Sequence, residues 1–359
     1  MTAYYDIAML ADLRFPGGTS TAIASELWAA GETGWKTAIL PIKGPLLTAP
    51  DSVHPQIAAA VAAGKAEIID PTSKIEAGAF IIHNPKILAR LPDEGINVRA
   101  THSLMIAHHP PFNTKGAANY DLPQVSQNAQ TVANNEVLWA PVGPIVRTQL
   151  ENADIGGLKL IDHDWVNILN PEPWISTRPT PSFHEKIRRP VRIGRHSRPD
   201  PLKWPADRES VLRAYPDDID FKVHVLGGGE ILKQLMKGKI PLNWHVAPYD
   251  PLAAPRFLSN IDFFVYYHHP DWVEAFGRTI IEAMAARIPV ILPPHFKPLF
   301  GDAAIYATLD TARDTVLNAN NNPKLCDDLV ETAYTALRER FSPNIHVERI
   351  KRLIGRPRR

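Results

Sequence analysis

The 359-residue chain is short of cysteine, of net charge and of long apolar runs, and each lack removes a class of protein. Its one cysteine, Cys326, cannot form an internal disulfide, which fits a reducing compartment. A formal charge of +1 lacks the basic excess of a dedicated nucleic-acid binder. No apolar run approaches the roughly 20 residues that cross a bilayer. The first strand-like region carries Asp6, Asp12 and Arg14, so it does not read as a signal peptide. There is no internal repeat and no low-complexity tract. Asp162-His163-Asp164 and Asp218-Ile219-Asp220 have the spacing of a metal-binding carboxylate pair. Neither closes an apolar strand, where such a pair is expected, so no metal site is assigned. The expectation is a cytoplasmic protein.

What is present is a chain long enough for two domains, 45% hydrophobic and 21% charged, the balance of a globular protein. Proline is abundant, 34 residues, with eight between Pro171 and Pro205. Proline breaks helices and central strands, so residues 171–190 read as a linker. The expected division is a first domain over 1–170, the linker, a second domain over 191–340, and a C-terminal helix with basic tail over 341–359 that could cross back to the first domain.

Both halves alternate strand, loop and helix. In the first, a strand at 5–10 leads through Arg14-Phe15-Pro16-Gly17-Gly18 into a helix over 21–30, then a strand at 35–40, with further strands at 79–83 and 97–102. In the second, strands are expected at 191–194, 221–226, 261–267 and 289–292, and helices at 205–214, 230–236 and 277–287. This alternation predicts an α/β fold with parallel sheets and ligands at the carboxyl ends of the strands.

The richest stretch is Glu274-Ala275-Phe276-Gly277-Arg278-Thr279-Ile280-Ile281-Glu282-Ala283-Met284-Ala285. Ile280, Ile281, Met284, Ala285 and Ile288 form an apolar stripe at helical spacing, with Glu282 off it. Glu274 precedes the helix, where unpaired N–H groups suit an anion. From Gly277 to Glu282 the helix rises roughly 7.5 Å at about 1.5 Å per residue, about the span of a diphosphate. Spacing alone also permits a capping glutamate followed by a solvated one.

This stretch, with Pro289-Val290 after it, resembles the signature of retaining GT-B glycosyltransferases of family 4, which carry two glutamates separated by seven residues. Other segments are similar to the same family. Arg14 to Gly18 resembles its N-terminal glycine turn, which puts Gly17 and Gly18 at the donor phosphates. Gly194-Arg195-His196-Ser197-Arg198 with Lys203 resembles its Arg/Lys pair for the diphosphate, the partner being Arg195 or Arg198. Residues 221–229 resemble the strand and glycine turn before its base-binding loop. Ile106-Ala107-His108-His109-Pro110 resembles the segment that sets a histidine, His108 or His109, at the transferred sugar. Arg287 stands where the family commonly has glycine.

The resemblance implies two Rossmann-like domains with parallel sheets facing across a cleft. It implies a hexosyltransferase that moves a sugar from a nucleoside-diphosphate sugar, UDP-sugar favoured, to a carbohydrate or lipid-linked glycan with retention of configuration and without a metal. The donor is a co-substrate, and no cofactor is expected. Glu274 would position the sugar and Glu282 the ribose, with Val246, Phe276 and Gly277 also on the donor side. Arg and Lys would stabilise the leaving phosphates in place of a metal. A non-catalytic nucleotide-sugar binder, or a phosphorylase or epimerase, remains open on the same scaffold. The basic segment from Arg349 to Arg359 reads first as a helix end and solvated tail, and otherwise as a weak contact for an anionic membrane.

Overall fold

The computed structural model describes residues 2–357 apart from 46, 48–51, 94, 154 and 176–188. The chain forms two compact units, Met1–Ile168 with Ser342–Arg359, and Leu169–Phe341. Each is an α/β unit built on a six-stranded sheet whose neighbouring strands are all parallel.

In the first unit the strands are β1 (Ala3–Ala11), β2 (Thr37–Pro41), β3 (Glu67–Ile68), β4 (Ile75–His83), β5 (Val98–Ala107) and β6 (Val137–Pro141). They lie in the order β3-β2-β1-β4-β5-β6. The helices are α1 (Gly18–Thr33), α2 (Pro55–Ala62), α3 (Leu122–Ala133) and α4 (Pro144–Glu151). β1 is buried from Tyr5 to Ala11, as a parallel strand covered on both faces must be. Helix α1 starts three residues before the expected 21–30 and ends at Gly34, whose N–H closes on Ala30 and Gly31. The last helix of the chain, Pro343–Ile354, belongs to this unit and packs on α1 and β4.

In the second unit the strands are β7 (Val191–His196), β8 (Phe221–Leu226), β9 (Trp244–Ala247), β10 (Phe263–Val265), β11 (Val290–Leu292) and β12 (Ile305–Tyr306). The order is β12-β11-β10-β7-β8-β9, so counted within each unit the two sheets have the same strand order. It is the doubly wound order, with a switch point between β1 and β4 in one unit and between β7 and β10 in the other. The helices are α5 (Arg208–Ala214), α6 (Gly229–Leu235), α7 (Ala254–Leu258), α8 (Arg278–Ala285), α9 (Lys297–Phe300), α10 (Ala312–Asn320) and α11 (Pro323–Arg340), which leaves α12 for Pro343–Ile354. The core joins Ile193, Val223, Val225, Trp244, Phe263, Val265 and Ile291 from the sheet to Trp204 and Tyr215.

Element bounds differ from those expected, β5 running on to Ala107 and α1 starting at Gly18. β10 is shorter than 261–267, running over Phe263–Val265, and beyond it the Tyr267 carbonyl accepts Arg195 Nη1 at 2.7 Å. Arg287 adopts a left-handed backbone, φ 58°, the conformation that favours glycine. Its side chain reaches α11, where it pairs with Glu331 at 2.5 Å and lies 4.3 Å from the Tyr334 ring centroid. The proline-rich stretch 171–190 lies for its greater part, 176–188, outside the described residues.

At the amino end of the switch point Asp262 ties β7 to β10. It takes both Nη atoms of Arg189, at 2.6 and 2.8 Å, and Arg192 Nη2 at 2.7 Å, besides the Arg192 backbone N–H at 2.9 Å. Burial raises its pKa, but the hydrogen bonds and charge of the two arginines outweigh that and hold the carboxyl well below its usual value. Asp262→Asn should therefore cost about 2 kcal/mol of stability in urea unfolding at pH 7. A depressed carboxyl stabilises fully above its unfolded pKa and loses that contribution as pH falls. The gap between parent and variant should narrow below the ordinary aspartate value of 3.8, and a gap independent of pH would show that the charge is not the cause.

Candidate functional site

In the second unit the carboxyl ends of β7, β8 and β10 bring together most of the residues picked out in the sequence. Glu274 sits in the loop between β10 and α8, and its Oε2 is the meeting point. Lys203 Nζ lies 2.5 Å from it, the Tyr266 hydroxyl donates at 2.6 Å and Trp272 Nε1 at 3.4 Å. Among the described residues no donor reaches Oε1, which leaves that oxygen for a ligand hydroxyl. Burial pushes the Glu274 pKa up, but the Lys203 charge and the Lys203 and Tyr266 hydrogen bonds bring it down to about 2, so the group is ionised at neutral pH. Sequence reading gave Lys203 to phosphates and Glu274 to a sugar as separate tasks; here they form one ion pair. Lys203 also lies 4.7 Å from the Trp272 ring centroid.

Helix α8 starts after Gly277, which has φ 82° and no side-chain cap. A Cβ there would come within 2.6 Å of Ile280 Cδ1, so both conformation and space call for glycine. The uncapped first turn presents N–H groups at the carboxyl edge of the sheet, where a phosphate would be favoured. Glu282 is buried, 8% exposed, which excludes the solvated alternative. Its carboxylate lies 3.3 Å from Arg278 Nε and 3.4 Å from His196 Nε2. Those contacts compensate it weakly: burial, only partly offset by Arg278, raises its pKa to about 7. His196 is held neutral at about 3 by burial and the Arg195 charge. A vicinal pair of ligand hydroxyls would supply the donors that Glu282 lacks. The Phe276 ring is turned inward, 5.7 Å from Phe341 and 6.4 Å from Phe300, so any contact with a donor falls to its backbone.

The choice between Arg195 and Arg198 is narrowed by burial. Arg195 is fully buried. Its donors go to the Tyr267 carbonyl, the Tyr215 hydroxyl at 3.3 Å and Ser197 Oγ at 3.4 Å, and its guanidinium lies 4.1 Å from the Trp204 ring centroid. It clamps β7 to the end of β10. Arg198, half-buried in the following loop, is the arginine a ligand can reach. The glycine turn after β8 lies against that loop, where a Cβ on Gly227 would sit 2.1 Å from the Ser197 carbonyl oxygen. Val246 on β9 is half-buried, 3.5 Å from where a Gly229 Cβ would be, and Tyr249 beyond it is 39% exposed. Tyr249 feels the Glu282 charge, which together with the larger effect of burial raises its hydroxyl pKa.

In the first unit Gly17, with φ 139°, precedes α1 at the end of β1, and Gly18 opens that helix without a side-chain cap. Asp12 accepts Arg14 Nη2 at 2.7 Å and the Gly44 N–H at 2.9 Å, fixing the loop. His108 follows β5 and is buried, with Nε2 3.1 Å from His83 Nδ1. His109 is half-buried, and its carbonyl accepts the Tyr120 hydroxyl at 3.2 Å. Behind His83 stands Glu26, which takes Trp165 Nε1 at 2.9 Å and Arg349 Nη2 at 2.8 Å. Sequence reading missed Glu26, His83 and His346, and in the second unit Tyr266, Trp272 and His196. A charged Glu26 amid Ile23, Leu27 and Ala30 on the inner face of α1 was the one available signal. Arg349, grouped in the sequence with an exposed basic tail, is 4% exposed and paired with Glu26, so it carries no surface charge.

The two Asp-x-Asp segments bind arginine. Asp218 and Asp220 meet Arg313 at 2.9 and 2.6 Å, and Asp164 meets Arg147 at 2.6 Å. Among the described residues no cluster of three His, Cys, Asp or Glu could hold a metal, and no helix is long and apolar enough to cross a membrane.

Two Rossmann-like units with parallel six-stranded sheets are the fold of GT-B glycosyltransferases, and solved structures of that class are similar to this chain. HepE of Anabaena, in complex with UDP and glucose, superposes with a TM-score of 0.66 at 12% identity, over 97% of this chain and 98% of that one. WaaG, a glycosyltransferase involved in lipopolysaccharide biosynthesis, gives 0.60 at 12% identity over 97% and 100%. The catalytic domain of starch synthase IV from Arabidopsis thaliana, bound to ADP and acarbose, gives 0.57 at 14% identity over 99% and 100%. At these identities the likeness is one of fold. No family model matches the chain, and no curated protein does.

The raised pKa of Glu282 sets a pH dependence. Between its unfolded value of 4.5 and about 7 the folded state holds a proton that the unfolded state has lost, so stability falls as pH rises through that window. The loss should be on the order of 2 to 3 kcal/mol. Thermal unfolding at pH 5 and pH 7.5 should show a drop in the ligand-free parent that Glu282→Gln largely removes. Parallel profiles for the two proteins would mean that Glu282 is ionised throughout.

Proposed function

We propose that this chain is a glycosyltransferase that moves a hexose from a nucleoside-diphosphate sugar, a UDP-sugar foremost, to a carbohydrate or lipid-linked glycan, with retention of configuration and without a divalent metal. The observation that carries this reading is the cluster on Glu274. An ionised carboxylate with one open oxygen stands beside Lys203 and an uncapped helix end, at the switch point of a sheet. A sugar hydroxyl on Glu274 and a diphosphate at Lys203, Arg198 and the α8 N-terminus would use each group for what its chemistry suits. Glu282 takes the ribose hydroxyls. In the first unit, taken by itself, the uncapped α1 N-terminus at Gly17 and Gly18 suits a phosphate, and His108 suits a sugar hydroxyl.

In transfer, the bond between the anomeric carbon and the diphosphate oxygen breaks and its electron pair leaves with the phosphate. The acceptor oxygen bonds to the anomeric carbon on the same face and gives its proton to that phosphate oxygen. The developing charge is stabilised by Lys203 and Arg198. Glu274 holds the sugar and forms no lasting bond to it. UDP is preferred because HepE, similar over nearly the whole chain, was solved with UDP and glucose. The exposed Arg352 and Arg356 on and after α12 offer weak contact to an anionic membrane that carries a lipid-linked acceptor.

The test is release of nucleoside diphosphate from a panel of UDP-, GDP- and ADP-sugars, with and without a chelator. Glu274→Gln should lower kcat by about 100-fold or more with the donor KM little changed, because its contacts strengthen in the transition state. Donor binding without release of nucleoside diphosphate would favour a non-catalytic binder. Activity lost to a chelator and restored by Mn²⁺ would overturn metal independence.

A further inference from the structure

Five ionisable side chains of the first unit form one buried chain that a sheet and two helices supply. His108 follows β5, His83 ends β4, Glu26 lies on α1, and His346 and Arg349 lie on α12. His83, Glu26 and His346 are each fully buried. Packed against one another in the core, these groups set which neighbour donates and which accepts.

Donor chemistry fixes the arrangement from one end. Arginine only donates. Arg349 gives Nη1 to the Val166 carbonyl at 2.8 Å, Nη2 to Glu26 Oε1 at 2.8 Å and Nε to His346 Nδ1 at 3.0 Å. His346 therefore accepts at Nδ1. Burial lowers the Arg349 pKa, with Glu26 opposing it, only to about 10, so the guanidinium is charged at neutral pH. Burial raises the Glu26 pKa, and the Arg349 charge with the Trp165 and Arg349 hydrogen bonds opposes that rise. A buried cation needs a counter-ion, and Glu26, with its Oε1 taking two donors, is the carboxylate beside it. Ionised Glu26 can only accept. Its Oε2 faces His83 Nε2 across 3.5 Å, with His346 Nδ1, already an acceptor, farther off at 3.9 Å, and neither Oε2 nor Nε2 has a hydrogen-bond partner elsewhere. Two lone pairs facing each other in the core would repel, so the His83 proton sits on Nε2. His83 Nδ1 is then an acceptor, and the proton it receives is on His108 Nε2, 3.1 Å away. Burial, with the Arg349 charge, holds His108 at about 3, so the ring is neutral and has one proton to place.

We propose that His83, itself held by Glu26, is a positioning residue that fixes His108 with its proton on Nε2, leaving Nδ1 as a hydrogen-bond acceptor for a sugar hydroxyl. Among the described residues Nδ1 of His108 meets no partner, and it is not sealed from solvent. The site therefore selects a group that can donate there, a hydroxyl, and disfavours a deoxy or fluoro substituent. The choice of ligand rests on the glycosyltransferase reading above; the placement of the proton does not.

Nitrogen-15 spectra of the histidine rings in the full chain test the two parts separately. The His108 signals, identified by their loss in His108→Asn, should show a protonated Nε2 and an unprotonated Nδ1. His83→Gln should keep that pattern, since its amide can accept from His108 and donate to Glu26. His83→Leu should lose it. Where the donor sugar is turned over, His83→Leu should lower kcat/KM by about tenfold, the scale seen when the group behind a ligating histidine is removed. His83→Gln should restore most of the loss, with both variants folded by circular dichroism. A proton on His108 Nδ1 in the parent, or equal losses in both variants, overturns the proposal. A correct tautomer with turnover unaffected by His108→Asn would instead sink the placement of the sugar at His108.

Discussion

A parallel sheet covered on both faces by helices leaves polar chemistry only its ends, and the two ends of the second unit's sheet are used differently. At the amino end Asp262 and two arginines satisfy one another, and the group closes on itself. At the carboxyl end, where helix N-termini converge, charged groups are set down with their hydrogen-bonding capacity incompletely used. Glu274 keeps one oxygen without a donor among the described residues, Glu282 is weakly compensated, and α8 begins without a side-chain cap. Unfilled capacity of this kind costs stability in the free protein and is recovered when a ligand supplies the missing partners.

The two glutamates show how environment gives one side-chain chemistry two ionisation states. Both are buried to the same extent, 8% exposed. Glu274 has a lysine, a tyrosine hydroxyl and an indole on one oxygen, and their combined effect exceeds the burial penalty. Glu282 has one arginine at 3.3 Å and a neutral histidine, and burial prevails. A fixed charge suits the sugar-holding task proposed for Glu274. A group near its titration point adapts to what binds, ionising as ligand hydroxyls donate to it.

Much of the fold was legible because each βαβ passage announces itself in two periods, a short apolar run and then a helical stripe. The pair Glu274 and Glu282 was legible for the same reason, standing just before and within a stripe that Ile280, Ile281 and Met284 define. What was not legible depends on distance through space. Nothing in the segment around Arg195 distinguishes it from Arg198; only Trp204, Tyr215 and Tyr267, brought in from three other places, show that the first is a clamp. Phe276 sits inside the most informative motif and still faces the core, because Phe300 and Phe341 fill the space behind it. The direct pairing of Lys203 with Glu274 joins residues 71 apart in sequence, and no spacing rule reaches that far.

The same limit holds for the ion pair of the first unit, which makes its own demand on the chain. Glu26 and Arg349 are 323 residues apart, and both are buried. Either alone would be an uncompensated charge in the core, a cost of several kcal/mol that a unit of this size cannot absorb easily. The first unit therefore reaches its full stability only when α12, the last helix of the chain, docks against α1. A segment that reads as a basic tail thus supplies a cation to the core, while its exposed arginines, Arg352 and Arg356, remain at the surface. Because Glu26 must be ionised to match Arg349, docking of that helix also sets the proton order through His83 to His108. The end of the chain in this way governs the state of a side chain at the carboxyl edge of the first sheet, with no contact between Arg349 and the residue it controls other than through the carboxylate and ring between them.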